Sequence, residues 1–378
     1  MDRQFPSVAA MRVKAKKRIP HFAWEYLNGG IGGDLGKAHN QQSLTNVRLL
    51  PKYLHHSGDE IDLTTKILGQ EFSAPFGVSP IGLGGLMWPK AAEYLAKGAH
   101  SHNIPFTMST FATATAEDVL EQGGKNTWFQ LYKPNDPETR ERLISHAENL
   151  GFDTMLLTVD IPVMTRRERE LAVGLSLPPE MNFSNILQML MRPRWLLETL
   201  RHEIPKFHLL NQYVPENLGR QGAAYYVSEL VRGHQSFDQL KALRDRWKGK
   251  LLIKGLQSVA DVARAKELGY DGVLISNHGG RQLESAPSAA DVLPALRREF
   301  PDYTLLADGG VRHGADIAKL LALGADMVMV GRAMMYGVCA AGELGADHVI
   351  NVLKQELAGT MGQVGVTRPS ELESCLYQ

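Results

Sequence analysis

The sequence predicts an α/β protein folded as a (β/α)8 barrel, the TIM barrel. Two observations predict it: eight short apolar runs recur along the chain, and segments with helical spacing of apolar residues lie between them. Runs that are apolar throughout are typical of strands buried on both faces. Helical crossovers imply parallel pairing, and eight such units are the number that closes a barrel.

The elements follow in chain order. The predicted strands are residues 74–80, 104–109, 127–132, 154–160, 250–255, 272–276, 303–310 and 327–331. Helices are predicted over 137–151, 258–269 and 313–324, because each segment ends at a glycine suited to a C-terminal cap. A doubly wound open sheet is the alternative fold, but the glycines of 79–86 lack the GxGxxG order of its nucleotide-binding turn.

Two segments fall outside the repeat. Residues 1–73 are predicted to be an N-terminal helical extension that covers the bottom of the barrel and part of the active-site mouth. Residues from about 168 to 235 form a long insertion after strand four, and a structureless loop of that length is uncommon. The insertion is therefore either functional or partly mobile. We interpret residues 1–378 as one domain, with the barrel over 74–378.

Composition narrows the class of protein. Lys plus Arg and Asp plus Glu both number 41, so the chain lacks the basic excess of a general nucleic-acid binder. The two cysteines, Cys339 and Cys375, offer neither a disulfide framework nor a CxxC metal site, which fits a reducing compartment. The basic N-terminus has no apolar run after it, and no run approaches the length of a membrane span. These features predict a cytoplasmic protein without a metal.

Polar, charged or glycine residues follow nearly every predicted strand. Each has a structural explanation when taken singly: His278 as a turn residue, Asp160 as a cap, Lys254 as a surface lysine. In a TIM barrel, however, the carboxyl ends of all strands meet at one face, where active sites form. Each of these residues would need a separate structural explanation, whereas one active site accounts for all of them. We therefore interpret the set as an active site.

The ends of the last two strands predict a phosphate site. Glycines there let backbone N–H groups approach a phosphate, and arginines add charge. The group comprises Gly309, Gly310, Arg312, Gly331 and Arg332. Neither a Walker motif nor a Rossmann fingerprint accompanies it, so the residues themselves do not identify the phosphorylated ligand.

Six short motifs in the sequence resemble those of a known enzyme family. The segments "SNHGGRQ" (276–282), "TVDIPVMTRRE", "FQLY", "LLIKG", "ADGGVR" and "VGRA" resemble, in order, those of the FMN-dependent L-2-hydroxy acid oxidising enzymes. That family includes glycolate oxidase, lactate dehydrogenase, lactate monooxygenase and mandelate dehydrogenase. The resemblance extends from residue 26 to residue 337 and implies FMN as the cofactor.

The resemblance also implies roles for the substrate-facing residues. His278 is similar to the catalytic base, which takes either the α-proton or the hydroxyl proton, and Asp160 to the carboxylate that stabilises its imidazolium. Arg281 and Tyr26 resemble the clamp for the substrate carboxylate, since the arginine fork binds a carboxylate bidentately. Arg167 would be a second positive charge near that carboxylate, and Tyr132 would hydrogen-bond the substrate oxygen. Phe111 is expected to face the substrate side chain, together with Met164 and Leu210.

Cofactor contacts follow from the same resemblance. Lys254 is expected beside the flavin N1 and O2, where negative charge accumulates on reduction. Asp308 is expected to bind the ribityl chain, Ser276 to lie close to the cofactor, and the phosphate group of residues to hold the FMN phosphate. The expected ring contacts are Pro80, Ile81, Gly82, Ser109, Gln130 and Thr158.

Two features of the sequence bear on the identity of the electron acceptor. Gly82 is similar to the residue of the dehydrogenases and of lactate monooxygenase, where glycolate and lactate oxidases carry alanine. Residues 182–207 mix large apolar with basic side chains, and Pro193 is expected to break them into two short helices. Such a segment suits a membrane surface, as in mandelate dehydrogenase, and favours quinone as acceptor; an active-site cover or a subunit contact is the alternative. We expect its deletion to release the chain from membranes and spare flavin reduction.

Other functions stay open at this stage. The substrate is a 2-hydroxy acid of lactate or mandelate type, and the family resemblance implies a homotetramer. An oxygen-using oxidase or a monooxygenase is the first alternative. A flavin-dependent isomerase or nucleotide dehydrogenase is another, although both cysteines lie after the last strand. A flavin-binding, membrane-associated module without activity is the non-enzymatic alternative.

Overall fold

Two short strands form a hairpin, and eight others close a barrel. A computed structural model describes residues 1–54, 60–163, 165–175, 182–202, 205–214, 226 and 233–377. The hairpin strands are β1 (Thr65–Ile67) and β2 (Gln70–Phe72). The barrel strands are β3 (Phe76–Val78), β4 (Phe106–Ser109), β5 (Thr127–Tyr132), β6 (Thr154–Thr158), β7 (Lys250–Leu256), β8 (Gly272–Ile275), β9 (Thr304–Asp308) and β10 (Met327–Val330).

The barrel is parallel throughout and closes between β10 and β3, with the strands otherwise in chain order. Each strand lies on its predicted apolar run, and its ends differ from the predicted ones by at most two residues. The prediction of a TIM barrel is therefore confirmed, and the open doubly wound sheet is excluded.

Helices flank the barrel and form both additional segments. Those outside the insertion are α1 (Val8–Arg18), α2 (His21–Asn28), α3 (Leu35–Asn46), α4 (Gly84–Met87), α5 (Ala91–Ser101), α6 (Ala116–Gly123) and α7 (Pro137–Asn149). The insertion holds α8 (Glu168–Ala172), α9 (Phe183–Leu190), α10 (Pro193–Arg201) and α11 (His208–Asn211). The remainder are α12 (Phe237–Arg246), α13 (Val259–Glu267), α14 (Ala289–Glu299), α15 (Gly314–Ala322), α16 (Arg332–Ala341) and α17 (Glu343–Val364).

The hairpin closes the amino-terminal end of the barrel. Ile67 and Phe72 are buried in one apolar cluster with side chains from the barrel strands, including Trp128 and Leu274. Phe72 meets Trp128 edge-on, with ring centroids 6.3 Å apart. Because apolar side chains fill this end, only the opposite end, where the strands finish, is left to hold a polar ligand.

In the described part of the insertion, α10 packs against α4. Pro193 occupies the first turn of α10, so α9 and α10 are separate helices, as the sequence predicts. The buried Trp195 of α10 donates from Nε1 to the carbonyl oxygens of Leu86 (3.3 Å) and Met87 (3.1 Å) at the end of α4. In the described parts of the chain, no helix combines the length and apolarity needed to cross a membrane.

Candidate active site

A cavity of about 510 Å³ opens at the carboxyl ends of the barrel strands. Most of the predicted site residues line it: Tyr26, Pro80, Ile81, Gly82, Ser109, Phe111, Gln130, Tyr132, Arg167, Lys254, His278, Arg281, Asp308, Gly309, Gly310, Arg312, Gly331 and Arg332. Thr158, Asp160 and Ser276 lie behind the lining, each in contact with a residue that reaches it. Leu210 is fully buried away from the lining, and Met164 lies outside the described residues.

The centre of the site is a histidine paired with a buried carboxylate. His278 Nδ1 lies 2.9 Å from Asp160 Oδ1. Burial raises the pKa of Asp160, but the neighbouring His278 and Lys254 charges outweigh it, so the pKa lies well below the usual range. An ionised Asp160 keeps the proton on Nδ1 and leaves Nε2 as the basic nitrogen. Burial lowers the pKa of His278, against the opposing effect of Asp160, so the imidazole is a neutral base near pH 7.

The turn after β8 sets the position of this histidine. His278 has a left-handed backbone with φ of 57°, which is uncommon for a residue other than glycine. Its N–H donates to the Ser276 hydroxyl at 3.0 Å, and two glycines follow it. The short "SNHGG" segment therefore turns sharply at the strand end and directs the side chain toward the cavity rather than along the barrel wall.

Lys254 forms a second buried charge centre. Its ammonium donates to Ser276 Oγ at 3.0 Å and lies 3.3 Å from Asp160 Oδ2 and 4.0 Å from Asp308 Oδ2. Burial lowers the pKa of this lysine, but the two carboxylates more than reverse it, so the ammonium stays charged. A fixed positive charge in a water-poor cavity can stabilise negative charge that develops on a bound ligand.

Two arginines and one glutamate form the outer part of the cavity. Arg281 Nη1 donates to the carbonyl oxygens of Tyr26 (2.7 Å) and Gly29 (3.1 Å), and its guanidinium lies 4.7 Å above the Tyr26 ring. Arg281 Nη2 donates to Glu170 Oε1 at 2.7 Å, and Arg167 Nη1 is 3.5 Å from the same oxygen. Burial lowers the pKa of Arg281, with the Arg167 charge next in effect, which marks this region as short of negative charge.

The ends of β9 and β10 form a cradle for an anion. Gly309 and Gly310 have φ of 102° and 83°, and a Cβ on Gly310 would lie 2.4 Å from the Asn40 carbonyl oxygen. Among the described residues, Arg332 donates only to the carbonyl oxygens of Leu27, Gly279 and Gly29, so its hydrogen bonds bring no negative charge. Burial, followed by the Arg281 and Arg312 charges, lowers the pKa of Arg332 to about 9. A bound phosphate would supply the missing negative charge.

Three buried polar atoms of the cavity wall lack a hydrogen-bond partner within the described structure. They are Ser79 Oγ, Gln130 Oε1 and Asp308 Oδ1. Burying an unpaired polar atom costs about 1–3 kcal/mol, so three such atoms around one cavity indicate a polar ligand that pairs with them. Together with the anion cradle, they fit a large ligand that carries a polar ring, hydroxyl groups and a phosphate.

Aromatic and aliphatic side chains form the remaining wall. Phe111 meets Tyr132 and Phe207 edge-on, with ring centroids 5.0 and 5.4 Å away. Burial, and then the Asp160 charge, raise the pKa of Tyr132 to about 12, so its hydroxyl remains a donor at neutral pH. Met87 and Leu175 add apolar surface. This wall suits the carbon side chain of a small ligand.

The sequence prediction missed several of these residues, among them Glu170, Ser79 and Phe207. Glu170 stands three positions after Arg167, the spacing of a helical ion pair, and that signal was available. Ser79 directly precedes the predicted contact Pro80. Phe207 had no local signal, because its place in the wall depends on the path of the insertion.

A parallel barrel whose strand ends combine an imidazole–carboxylate pair, a buried lysine and a cradle of glycines and arginines fits an enzyme that binds a phosphorylated cofactor. The chain belongs to the FMN-dependent dehydrogenase family, whose model matches residues 15–378. It is therefore an FMN-dependent oxidoreductase, and the cavity described above fits that cofactor. The non-enzymatic alternative is excluded.

Similar proteins narrow the class further. The chain is 36% identical to (S)-mandelate dehydrogenase of Pseudomonas putida over 365 residues, which is 97% of this chain and 92% of that protein. It is 33% identical to L-lactate dehydrogenase of Xanthobacter autotrophicus over 365 residues, 96% of this chain and 93% of that protein. A crystal structure of the monotopic membrane protein (S)-mandelate dehydrogenase matches with a TM-score of 0.92 and 35% identity, covering 98% of both chains.

Proposed function

We propose that this enzyme oxidises an L-2-hydroxy acid of lactate or mandelate type to the 2-keto acid and passes the electrons to a quinone at a membrane surface. The observation that carries the reaction is the His278–Asp160 pair, 2.9 Å apart, in a cavity that also presents Arg281 and a buried Lys254. A base, a carboxylate-binding group and a cation for a reduced cofactor are the three functions that this oxidation needs.

The clamp orients the substrate. Arg281, held on one edge by the Tyr26 and Gly29 carbonyls, offers its other edge to the substrate carboxylate. Arg167 adds a second charge, and the Tyr26 hydroxyl, which donates to the Gly82 carbonyl at 3.2 Å, lies beside the same position. Fixing the carboxylate leaves the α-carbon and the hydroxyl directed at His278 and Tyr132.

Proton transfer is the task of His278. Its neutral Nε2 takes a proton from the substrate, and the imidazolium that forms is stabilised by Asp160. The Tyr132 hydroxyl hydrogen-bonds the substrate oxygen as it becomes a ketone. The structure of the site is compatible with removal of either the α-proton or the hydroxyl proton, and both place the same demands on the pair.

FMN, when bound, accepts the two electrons released by the substrate. We propose that Gly309, Gly310, Arg312, Gly331 and Arg332 hold its phosphate and that Asp308 binds the ribityl chain. Pro80, Ile81, Gly82, Ser109 and Gln130 are the proposed ring contacts. Thr158 and Ser276 lie behind the cavity lining and orient residues that reach it. Thr158 accepts from the Gln130 amide at 2.6 Å, and Ser276 accepts from Lys254. Lys254 offsets the negative charge of the reduced cofactor.

The membrane proposal rests on exposed apolar side chains in the insertion. Phe183 and Leu190 of α9 and Leu200 of α10 are 82%, 61% and 71% exposed. Several large apolar residues exposed on two adjacent short helices, with Arg194 and Arg201 beside them, suit an interfacial segment that lies on anionic lipid. The similarity to a monotopic membrane enzyme supports this placement. A peripheral position on the cytoplasmic face would bring the site near membrane quinone.

Point substitutions test the membrane contact better than a deletion does. Residues 182–207 include Trp195, which bonds α4, and Phe207, which lines the cavity, so removing the segment would disturb the site. Leu190→Asp with Leu200→Asp removes about 3–6 kcal/mol of apolar burial in lipid. The double variant should leave the membrane fraction and retain flavin reduction. The control variant Val259→Asp, which changes an exposed residue of α13, should stay in the membrane fraction. Unchanged membrane binding of the double variant would contradict the proposal.

A panel of substrates and acceptors tests the reaction. We expect L-lactate or L-mandelate to reduce the flavin anaerobically, and a soluble quinone to reoxidise it much faster than oxygen does. Rapid reoxidation by oxygen with stoichiometric peroxide would identify an oxidase, and acetate from lactate would identify a monooxygenase. Light scattering after size exclusion tests the proposed homotetramer, and a monomer would contradict it.

A further inference from the structure

We propose that Glu170 is the resting counterion of the substrate clamp, which an incoming carboxylate must displace from Arg281. The inference rests on the proposed function, because it assigns Arg281 to the substrate carboxylate. It adds a residue that sets substrate affinity and product release without taking part in the chemistry.

The contact geometry is that of a bound carboxylate. Glu170 Oε1 accepts from Arg281 Nη2 at 2.7 Å and lies 3.5 Å from Arg167 Nη1. One carboxylate oxygen is therefore shared by the two arginines proposed for the substrate, and all three side chains line the cavity. Since Arg281 Nη1 is committed to the Tyr26 and Gly29 carbonyls, Nη2 is the edge for which Glu170 and the substrate compete.

Charge balance explains why such a counterion is needed. The side chain of Arg281 is only 13% exposed, and a buried guanidinium without a partner is strongly destabilising. Arg167 and Arg332 add further positive charge nearby. Glu170 therefore supplies negative charge to Arg281 while no substrate carboxylate is bound.

The helix that carries Glu170 is held in place from its other side. Arg169 bridges Glu25 Oε2 at 3.2 Å and Asp34 Oδ2 at 2.9 Å, and Glu168 accepts from the Gly32 N–H at 3.3 Å. These contacts fix the backbone of α8 to the N-terminal extension. The Glu170 side chain can therefore turn away from Arg281 and return without movement of the helix.

Neutralising Glu170 tests the proposal. Glu170→Gln keeps the size of the side chain and removes the competing charge, so the Kd for pyruvate and for L-lactate should fall about tenfold, equivalent to ~1.4 kcal/mol. The limiting rate of flavin reduction should change much less than the Kd, because His278 and Asp160 are untouched. Glu267→Gln, at an exposed glutamate of α13 outside the cavity lining, is the charge-matched control and should alter neither.

Stopped-flow reduction and a pyruvate titration followed by flavin absorbance give both quantities. Tighter binding in Glu170→Gln with a preserved limiting rate supports the proposal. An unchanged or raised Kd would overturn it and make Glu170 a support for Arg281 instead. If no 2-hydroxy acid reduces the flavin of the wild-type enzyme, the proposed function fails, and pyruvate binding still tests Glu170 separately.

Discussion

Replacing Asp160 by Asn removes the charge beside the proposed base while keeping its shape. Asp160 Oδ1 is 2.9 Å from His278 Nδ1, and the carboxylate is largely buried. With centres of charge about 4 Å apart and an effective dielectric constant of about 20, the attraction to an imidazolium is about 4 kcal/mol. If between half and three-quarters of it is present in the transition state, reduction slows by about 30- to 140-fold at ~1.4 kcal/mol per decade.

The same substitution should move the pH profile in a defined direction. The base acts when unprotonated, so kcat/KM rises with pH through the pKa of His278. Burial already lowers that pKa, and the Asp160 charge partly restores it. Without the charge the pKa falls further, so the profile of Asp160→Asn should reach its plateau at a lower pH than the wild-type profile.

The assay is anaerobic stopped-flow reduction over a pH series, with FMN content and Tm measured alongside to confirm folding. Slower flavin reduction, with a kcat/KM that reaches its plateau at a lower pH, would support Asp160 as the partner of the base. A near wild-type rate, or a plateau displaced to higher pH, would refute the assignment of Asp160 as the partner of the base.

Two further substitutions test the clamp and the cavity wall. Arg281→Lys should raise the KM for L-lactate and L-mandelate by about 10- to 100-fold, because a compact ammonium cannot reproduce the planar fork that binds a carboxylate bidentately; unchanged steady-state parameters would place the clamp elsewhere. Gly82→Ala adds a Cβ 3.1 Å from Phe111 Cβ and 3.5 Å from the Tyr26 hydroxyl. Overpacking of about 1–3 kcal/mol should then raise the KM for L-mandelate about tenfold more than that for L-lactate. Gly84→Ala, whose Cβ would make an ordinary 3.5 Å contact, is its control, and equal effects on both acids would contradict the prediction.

The barrel could be predicted because its signals are local. Each strand is an apolar run buried on both faces, and the order of runs and helices determines a parallel topology. The hairpin β1–β2 was not predicted, because each of its strands buries only one residue, Ile67 or Phe72, and that burial depends on the closed barrel.

The candidate site was predictable for a related reason. Parallel strands bring their carboxyl ends to one rim, so a residue such as His278 or Asp308 is placed near the cavity by its position in the chain alone. The position of a residue at a strand end does not show whether its side chain reaches the cavity. Thr158, Asp160 and Ser276 also lie at strand ends, yet they are behind the lining. The contact of Glu170 with Arg281 and the position of Phe207 depend on how the insertion packs against the barrel, which no local pattern specifies.

The most direct test of the account is anaerobic reduction of the bound FMN by L-lactate and L-mandelate in the wild-type enzyme and in His278→Gln. The account predicts that at least one acid bleaches the visible absorption of the wild-type flavin and yields one 2-keto acid per FMN. The variant should keep its FMN and reduce it more slowly by several orders of magnitude, since a glutamine cannot accept the proton. Reduction of His278→Gln at a near wild-type rate, or no reduction of the wild-type flavin by either acid, would contradict it.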